Sequence, residues 1–252
     1  LNKEGKTVVG NRFAISFLNA GIIDRYYGKL VFIGDSITQG GKGNPSYRYQ
    51  VFKNLANANV PINATTGYKF VGSLSGAYET NAGGTPDVNG QVFENTHDGH
   101  WGWRAMWENG RVTLPAGVRV DNKGEGTILN WTGQTSQYAT TSGTKNFPDT
   151  TISGSGVADP YTAYIPDTAS IMIGINDIDA GSSATQVRDD ISTMIDQLQS
   201  TNANINIFVN QVLHTNVKVG NAFKHNSTVD ALNALLPALA ASKSTANSSV
   251  WV

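Results

Sequence analysis

Short apolar runs alternate along this chain with longer stretches whose apolar positions recur at helical spacing. Lys29-Leu30-Val31-Phe32-Ile33 runs straight into Gly-Asp-Ser, which suits a fully buried strand feeding a tight turn. Tyr68 to Gly72 predicts a second strand, Ser170 to Ile173 a third ahead of Gly174, Ile205 to Val212 a fourth, and Ser249 to Val252 the start of a fifth. Between the third and fourth, Val187, Ile191, Met194, Ile195 and Leu198 fall on one helical face behind Ser183-Ala184-Thr185-Gln186, whose S-x-x-Q spacing is that of a capping box. Between the fourth and fifth, Val229, Leu232, Leu235, Leu236 and Leu239 form a second stripe, with Ser227 to Asp230 as its expected cap. Pro237 is expected to bend or break that helix, because proline lacks a backbone donor and clashes with the preceding turn.

Strands alternating with helices of this length predict an α/β fold with a parallel sheet covered on both faces, since parallel neighbours need a long crossover. The stretch from about Gly110 to Pro160 breaks the alternation. It is rich in Gly, Thr and Ser and is expected to be an insertion of irregular or β structure. With 252 residues and no internal repeat, one domain over 29–252 is expected, preceded by an N-terminal extension, 1–28.

Charge narrows the partners. Eighteen basic and 19 acidic groups leave a formal net charge of -1, which offers no electrostatic footprint for nucleic acid or an anionic membrane. No apolar run approaches the roughly 18 to 20 residues of a membrane span. The first 27 residues place basic groups before a short apolar stretch, but Asn19 interrupts it, so they read as mature polypeptide with Leu1 a processed or trimmed end. Absence of cysteine excludes disulfides and thiolate chemistry without settling the compartment. Only 15% of residues are charged while Gly, Ser, Thr and Asn abound, a balance that leans towards a secreted or periplasmic protein. N-x-S/T sequons at Asn63, Asn130, Asn226 and Asn247 arise readily by chance in such a composition.

Three polar, glycine-containing segments carry the candidate chemistry. Gly34-Asp35-Ser36-Ile37-Thr38-Gln39-Gly40 follows the first strand, His97-Asp98-Gly99-His100-Trp101-Gly102-Trp103-Arg104 the second, and Gly174-Ile175-Asn176-Asp177 the third. Carboxyl ends of parallel strands are where ligands sit, so Ser36 is expected to face a site. In order and spacing the chain resembles the SGNH (GDSL-type) hydrolases, from about Leu30 to Val252. Phe70-Val71-Gly72-Ser73 and the His97 to Trp103 segment are similar to the carbohydrate acetylesterases within that superfamily. The expected architecture is therefore a three-layer α/β/α sandwich around a mostly parallel, flavodoxin-like sheet.

The resemblance implies that Ser36 is the nucleophile of a metal-independent, cofactor-free acyl-serine mechanism. The oxyanion donors would be the backbone N–H groups of Ser36 and Gly102 and the side-chain amide of Asn176, each worth about 3 kcal/mol of barrier. Gly102 is expected to be glycine so that its backbone can approach the substrate, and Asn176 supplies a neutral donor. Asp35 and Asp177 are expected to organise turns, and Asp35, Trp101 and His214 are placed beside the substrate. Trp101 adjoins Gly102, whereas Trp103, Trp107, Trp131 and Tyr138 fit core positions better than sugar-stacking ones. His97 and His100 are expected to shape their loop, because H-x-x-H with one Asp lacks a third zinc ligand.

The family pattern places the base in a D-x-x-H motif after the fifth strand, and the 252 residues contain no D-x-x-H. A further C-terminal segment, continuous with Val252 or docked as a separate fragment, is expected to supply it, with His214 as the only substitute inside the chain. The expected substrate is an acylated carbohydrate, with acetyl as the acyl group. The rivals are a lipid or aryl esterase, a thioesterase, an acyltransferase, and a non-catalytic carbohydrate-binding module on the same fold.

Overall fold

The computed structural model describes residues 28–41, 46–62, 67–72, 74–75, 85–105, 137–140, 143–146, 165–215, 218–219, 222–223 and 225–252. The architecture is built on β1 (Gly28–Gly34), in which every residue but Lys29 is buried. Its apolar residues divide by strand alternation: Val31 and Ile33 enter one core and Leu30 and Phe32 the other. Along one edge it pairs in parallel with β7 (Thr168–Met172). Along the other it pairs first with β2 (Tyr68–Val71) and then, at Ile33 and Gly34, with β4 (Thr96–Gly99).

Beyond β7 lie β8 (Asn206–Val209) and β11 (Val250–Trp251), both parallel, and beyond β4 lies β3 (Leu74–Ser75), antiparallel. Among the described residues this is one seven-stranded sheet in the order β11-β8-β7-β1-β4-β3, with β2 also on β1. The chain builds one flank first and then crosses to the other, which makes β1 the switch point where such sheets open a crevice at their carboxyl ends.

Five helices complete the layers among the described residues: α1 (Ser36–Gln39), α2 (Tyr47–Asn57), α3 (Ile175–Asp179), α4 (Ala184–Thr201) and α5 (Asn226–Lys243). One face of the sheet packs on α4 and α5 through Val187, Ile191, Met194, Leu198, Leu232 and Leu236. The opposite face packs on α2 through Tyr47, Val51, Phe52 and Leu55, with Phe32, Phe70 and Phe93 in edge or tilted contact. The expected three-layer α/β/α sandwich is therefore present.

Several elements differ from expectation. The third and fourth strands start or stop within a few residues of the predicted limits, with β8 ending at Val209. Thr96 to Gly99 is a strand and not part of a loop. Helix α2 lacks any prediction. Helix α5 starts behind His225, in a left-handed conformation (φ 62°), and Ser227 lies inside it.

Nor does Pro237 interrupt α5. Its ring is exposed while Leu232, Leu236 and Leu239 hold the flanking turns in the core. Of the expected insertion, the described part is an antiparallel hairpin of β5 (Gln137–Thr140) and β6 (Gly143–Asn146), and a second small hairpin joins β9 (Lys218–Val219) to β10 (Ala222–Phe223). The rest of Gly110 to Pro160, residues 1–27, and Trp107 and Trp131 lie outside the described residues.

Candidate active site

Ser36 opens α1 at the carboxyl end of β1. Gly34 is required just before it, because a β-carbon there would fall on the Met172 carbonyl and the Thr38 hydroxyl. Asp35 caps α1: its Oδ1 accepts the Ile37 N–H at 2.9 Å. That residue is 1% exposed, so Asp35 supports the turn that carries Ser36 and is not placed to contact substrate. Burial pushes its carboxyl up to about 7, with the nearby Asp177 adding to the shift and the Ile37 hydrogen bond opposing it.

The second segment turns sharply at the end of β4. His100 N–H donates to the Gly34 carbonyl (2.8 Å), Trp103 N–H to the His100 carbonyl (3.1 Å), and Trp101 N–H to Gln39 Oε1 (2.7 Å). Among the described residues the Gly102 N–H has no such partner, and Gly102 is exposed at the tip of the turn. Gly102 has φ 78°, and no atom lies within 4 Å of where a β-carbon would stand. Its glycine is thus demanded by the left-handed backbone and not by crowding.

The third segment pins the second. Asn176 Nδ2 donates to the Trp103 carbonyl at 2.8 Å, and Asp177 Oδ2 accepts the Ala105 N–H at 2.8 Å. An amide nitrogen carries two protons, so Asn176 keeps one N–H beyond its Trp103 bond. Hydrogen bonds therefore tie the segments bearing Ser36, Gly102 and Asn176 together at the ends of β1, β4 and β7.

The histidines divide into inner and outer pairs. His97 Nδ1 accepts the Gly99 N–H (3.0 Å), and His100 Nε2 meets Asp98 Oδ1 (3.0 Å) with both side chains wholly buried. His100 also stacks on Trp103, with ring centroids 4.1 Å apart, so Trp103 is core. Trp101 is 43% exposed beside Gly102. His214, past the end of β8, pairs with Asp230 of α5 (2.7 Å), both more than half exposed. His225 lies 3.8 Å from Asp179. Among the described residues, which include all four histidines, none hydrogen-bonds the Ser36 hydroxyl.

The profile of the GDSL-like Lipase/Acylhydrolase family matches residues 102–246, more than half of the chain. The chain belongs to that family. As a GDSL-like acylhydrolase it is an ester hydrolase of the SGNH kind, and solved structures share its fold. A carbohydrate esterase family 3 protein from Talaromyces cellulolyticus superposes with a TM-score of 0.58 at 19% identity, over 89% of this chain and 77% of that one. An acetyl esterase mutant with acetate ion gives the same values. A Clostridium thermocellum family 3 carbohydrate esterase gives 0.51 at 20% identity, over 88% and 75%. A search of the curated proteins finds no match.

Two supports of this GDSL-like site escape sequence reasoning. Arg48 of α2 is buried and donates from Nε to the Thr38 carbonyl (2.7 Å) and from Nη2 to the Gln39 carbonyl (3.1 Å), closing the end of α1. Its signal was a lone cation on the apolar face of an unrecognised helix. Gln39 reaches 62 residues along the chain to Trp101, a pairing for which the sequence carries no local signal. Elsewhere a cavity of about 490 Å³, lined by Pro61, Ile62, Asn89, Gln91 and Glu94 among others, lies beside the start of β2, away from the Ser36 end of the sheet.

Proposed function

We propose that the chain removes small acyl groups, acetyl foremost, from carbohydrate esters through an acyl-serine intermediate, as a secreted or periplasmic enzyme. The observation that carries this reading is the bonded assembly of the Ser36, Gly102 and Asn176 segments, which leaves an unpartnered Gly102 N–H and a spare Asn176 N–H beside the nucleophile's turn. Ser36 Oγ attacks the ester carbonyl, its proton passes to a base, and the negative charge developing on the carbonyl oxygen is met by the N–H groups of Ser36, Gly102 and Asn176. Collapse expels the sugar alcohol, which takes the proton, and water repeats the sequence on the acyl-enzyme. The exposed ring of Trp101 adjoins Gly102 and gives a sugar ring an apolar face. Likeness to proteins described as family 3 carbohydrate esterases and as an acetyl esterase supports the substrate class. The base in this reading is an imidazole of a D-x-x-H segment that the 252 residues do not contain.

Labelling with a fluorophosphonate, and acetate release from acetylated xylan against hydrolysis of long-chain acyl esters, each with free imidazole supplied in place of the missing base, test the reading. Labelling lost in Ser36→Ala and preferential acetate release are expected. Equal labelling of Ser36→Ala removes Ser36 as nucleophile. An unlabelled parent that still binds the sugar makes the chain a binding module, and a preference for long acyl chains makes it a lipid esterase.

A further inference from the structure

The turn that presents Gly102 has a third anchor besides its own hydrogen bonds and α3, and that anchor is a neutral side chain on the nucleophile's helix. We propose that Gln39 is a positioning residue for the oxyanion hole, holding the Gly102 N–H at a fixed place relative to Ser36; this rests on the reading of the site given above. Gln39 is 2% exposed, and its Oε1 accepts the Trp101 N–H at 2.7 Å, one peptide before Gly102.

The origin of that side chain is itself fixed on three sides. Gln39 N–H donates to the Asp35 carbonyl (2.9 Å), its carbonyl accepts from Arg48 (3.1 Å), and Gly99 of β4 lies so close that a β-carbon there would stand 2.7 Å from the Gln39 nitrogen. Ser36 and Gln39 are the two ends of one helical turn, so any shift of that turn carries the nucleophile and the Gly102 segment together.

Gln39 does two things for the turn. It takes up the Trp101 N–H, so that of the consecutive N–H groups of Trp101 and Gly102 only the second is left without a hydrogen-bond partner among the described residues. It also does so without a charge, whereas a carboxylate at the same place would oppose the negative charge developing on substrate. Donors aimed in advance at that charge are effective because they need no reorganisation during reaction, and misplacement by about 1 Å costs on the order of 100-fold.

The test compares Gln39→Met, which keeps length and loses the acceptor, Gln39→Asn, which draws the acceptor back by one carbon, and Gln39→Glu, which keeps an acceptor at full length. Steady-state hydrolysis of an aryl acetate, with free imidazole supplied as the base, and amide hydrogen exchange at Trp101 are read on each folded variant. Gln39→Met and Gln39→Asn are expected to lower kcat by about 10- to 100-fold with KM within about threefold, and to speed exchange of the Trp101 amide. Gln39→Glu retains amide protection and recovers part of kcat. Parental kcat in Gln39→Met, a loss carried by KM, or a Gln39→Glu variant whose Trp101 amide exchanges as fast as in Gln39→Met overturns the inference while leaving Ser36 in place. A parent without ester hydrolysis even when imidazole is supplied brings down the reading of the site, and this inference with it.

Discussion

Asp35 shows what placing Ser36 on a tight turn at the end of a buried strand demands of one residue. Its carboxyl caps α1, yet burial and Asp177 raise it from 3.8 to about 7. Between those values the native state holds a proton that the unfolded chain has released. This group's contribution is therefore fully present below about pH 4 and is lost as pH rises through about 7, at a limiting slope of about 1.4 kcal/mol per pH unit. Asn caps a helix as well as Asp and cannot ionise. Asp35→Asn is thus expected to gain stability relative to the parent between pH 5 and pH 8 in urea unfolding; a constant difference across that range contradicts the assignment. Asn176 makes a different demand, since its amide holds the Trp103 carbonyl and, in the proposed mechanism, also donates to the oxyanion. Asn176→Ala is expected to lower kcat by about 100- to 1,000-fold with KM nearly unchanged. A loss confined to KM would leave it only the tether.

At the scale of elements, pattern was readable wherever apolar side chains carried it. Helix α4 has the predicted stripe, and Ser183 and Gln186 form both halves of the capping box. Strand β4 was not readable, because Thr96-His97-Asp98-Gly99 contains no apolar residue. It is a strand because its backbone pairs with β1, while its polar side chains bond within their own turn, His97 to Gly99 and Asp98 to His100. Helix α2 was obscured by Arg48 on its buried face, which serves the carbonyls of α1. Pro237 misled for a related reason. Propensity counts the lost hydrogen bond and the ring clash, but the stripe of α5 holds both sides of the proline against the core. That cost persists in the native state, so Pro237→Ala is expected to raise stability by about 1 to 3 kcal/mol in urea unfolding. A destabilised variant would show that the proline ring itself contributes to the packing of α5.

Across the whole molecule, the segments bearing Ser36, Gly102 and Asn176 were legible because each is a short motif, whereas what aligns them runs between motifs: Gln39 to Trp101, Asn176 to Trp103 and Asp177 to Ala105. The base is a question at this same scale. A serine hydroxyl needs an imidazole within about 3 Å, and none of the four histidines bonds Ser36 among the described residues. His97 and His100 are held inside β4 and its turn. His214 follows β8, two strands from β1 and so on the order of 10 Å across the sheet, with its Nε2 on exposed Asp230. Losing a triad histidine costs about 10⁶ in kcat, much of which a small diffusible base can replace if the remaining parts are in place. Free imidazole is therefore expected to accelerate aryl acetate hydrolysis by the 252-residue chain in a saturable manner. Ser36→Ala should abolish that acceleration, which separates it from hydrolysis by imidazole in solution, and His214→Ala should leave it within about threefold. If instead the parent turns over at full rate without imidazole, and His214→Ala loses that rate and regains it with imidazole, His214 is the base and the carboxyl ends of β1 and β8 approach more closely during catalysis than they do in this structure.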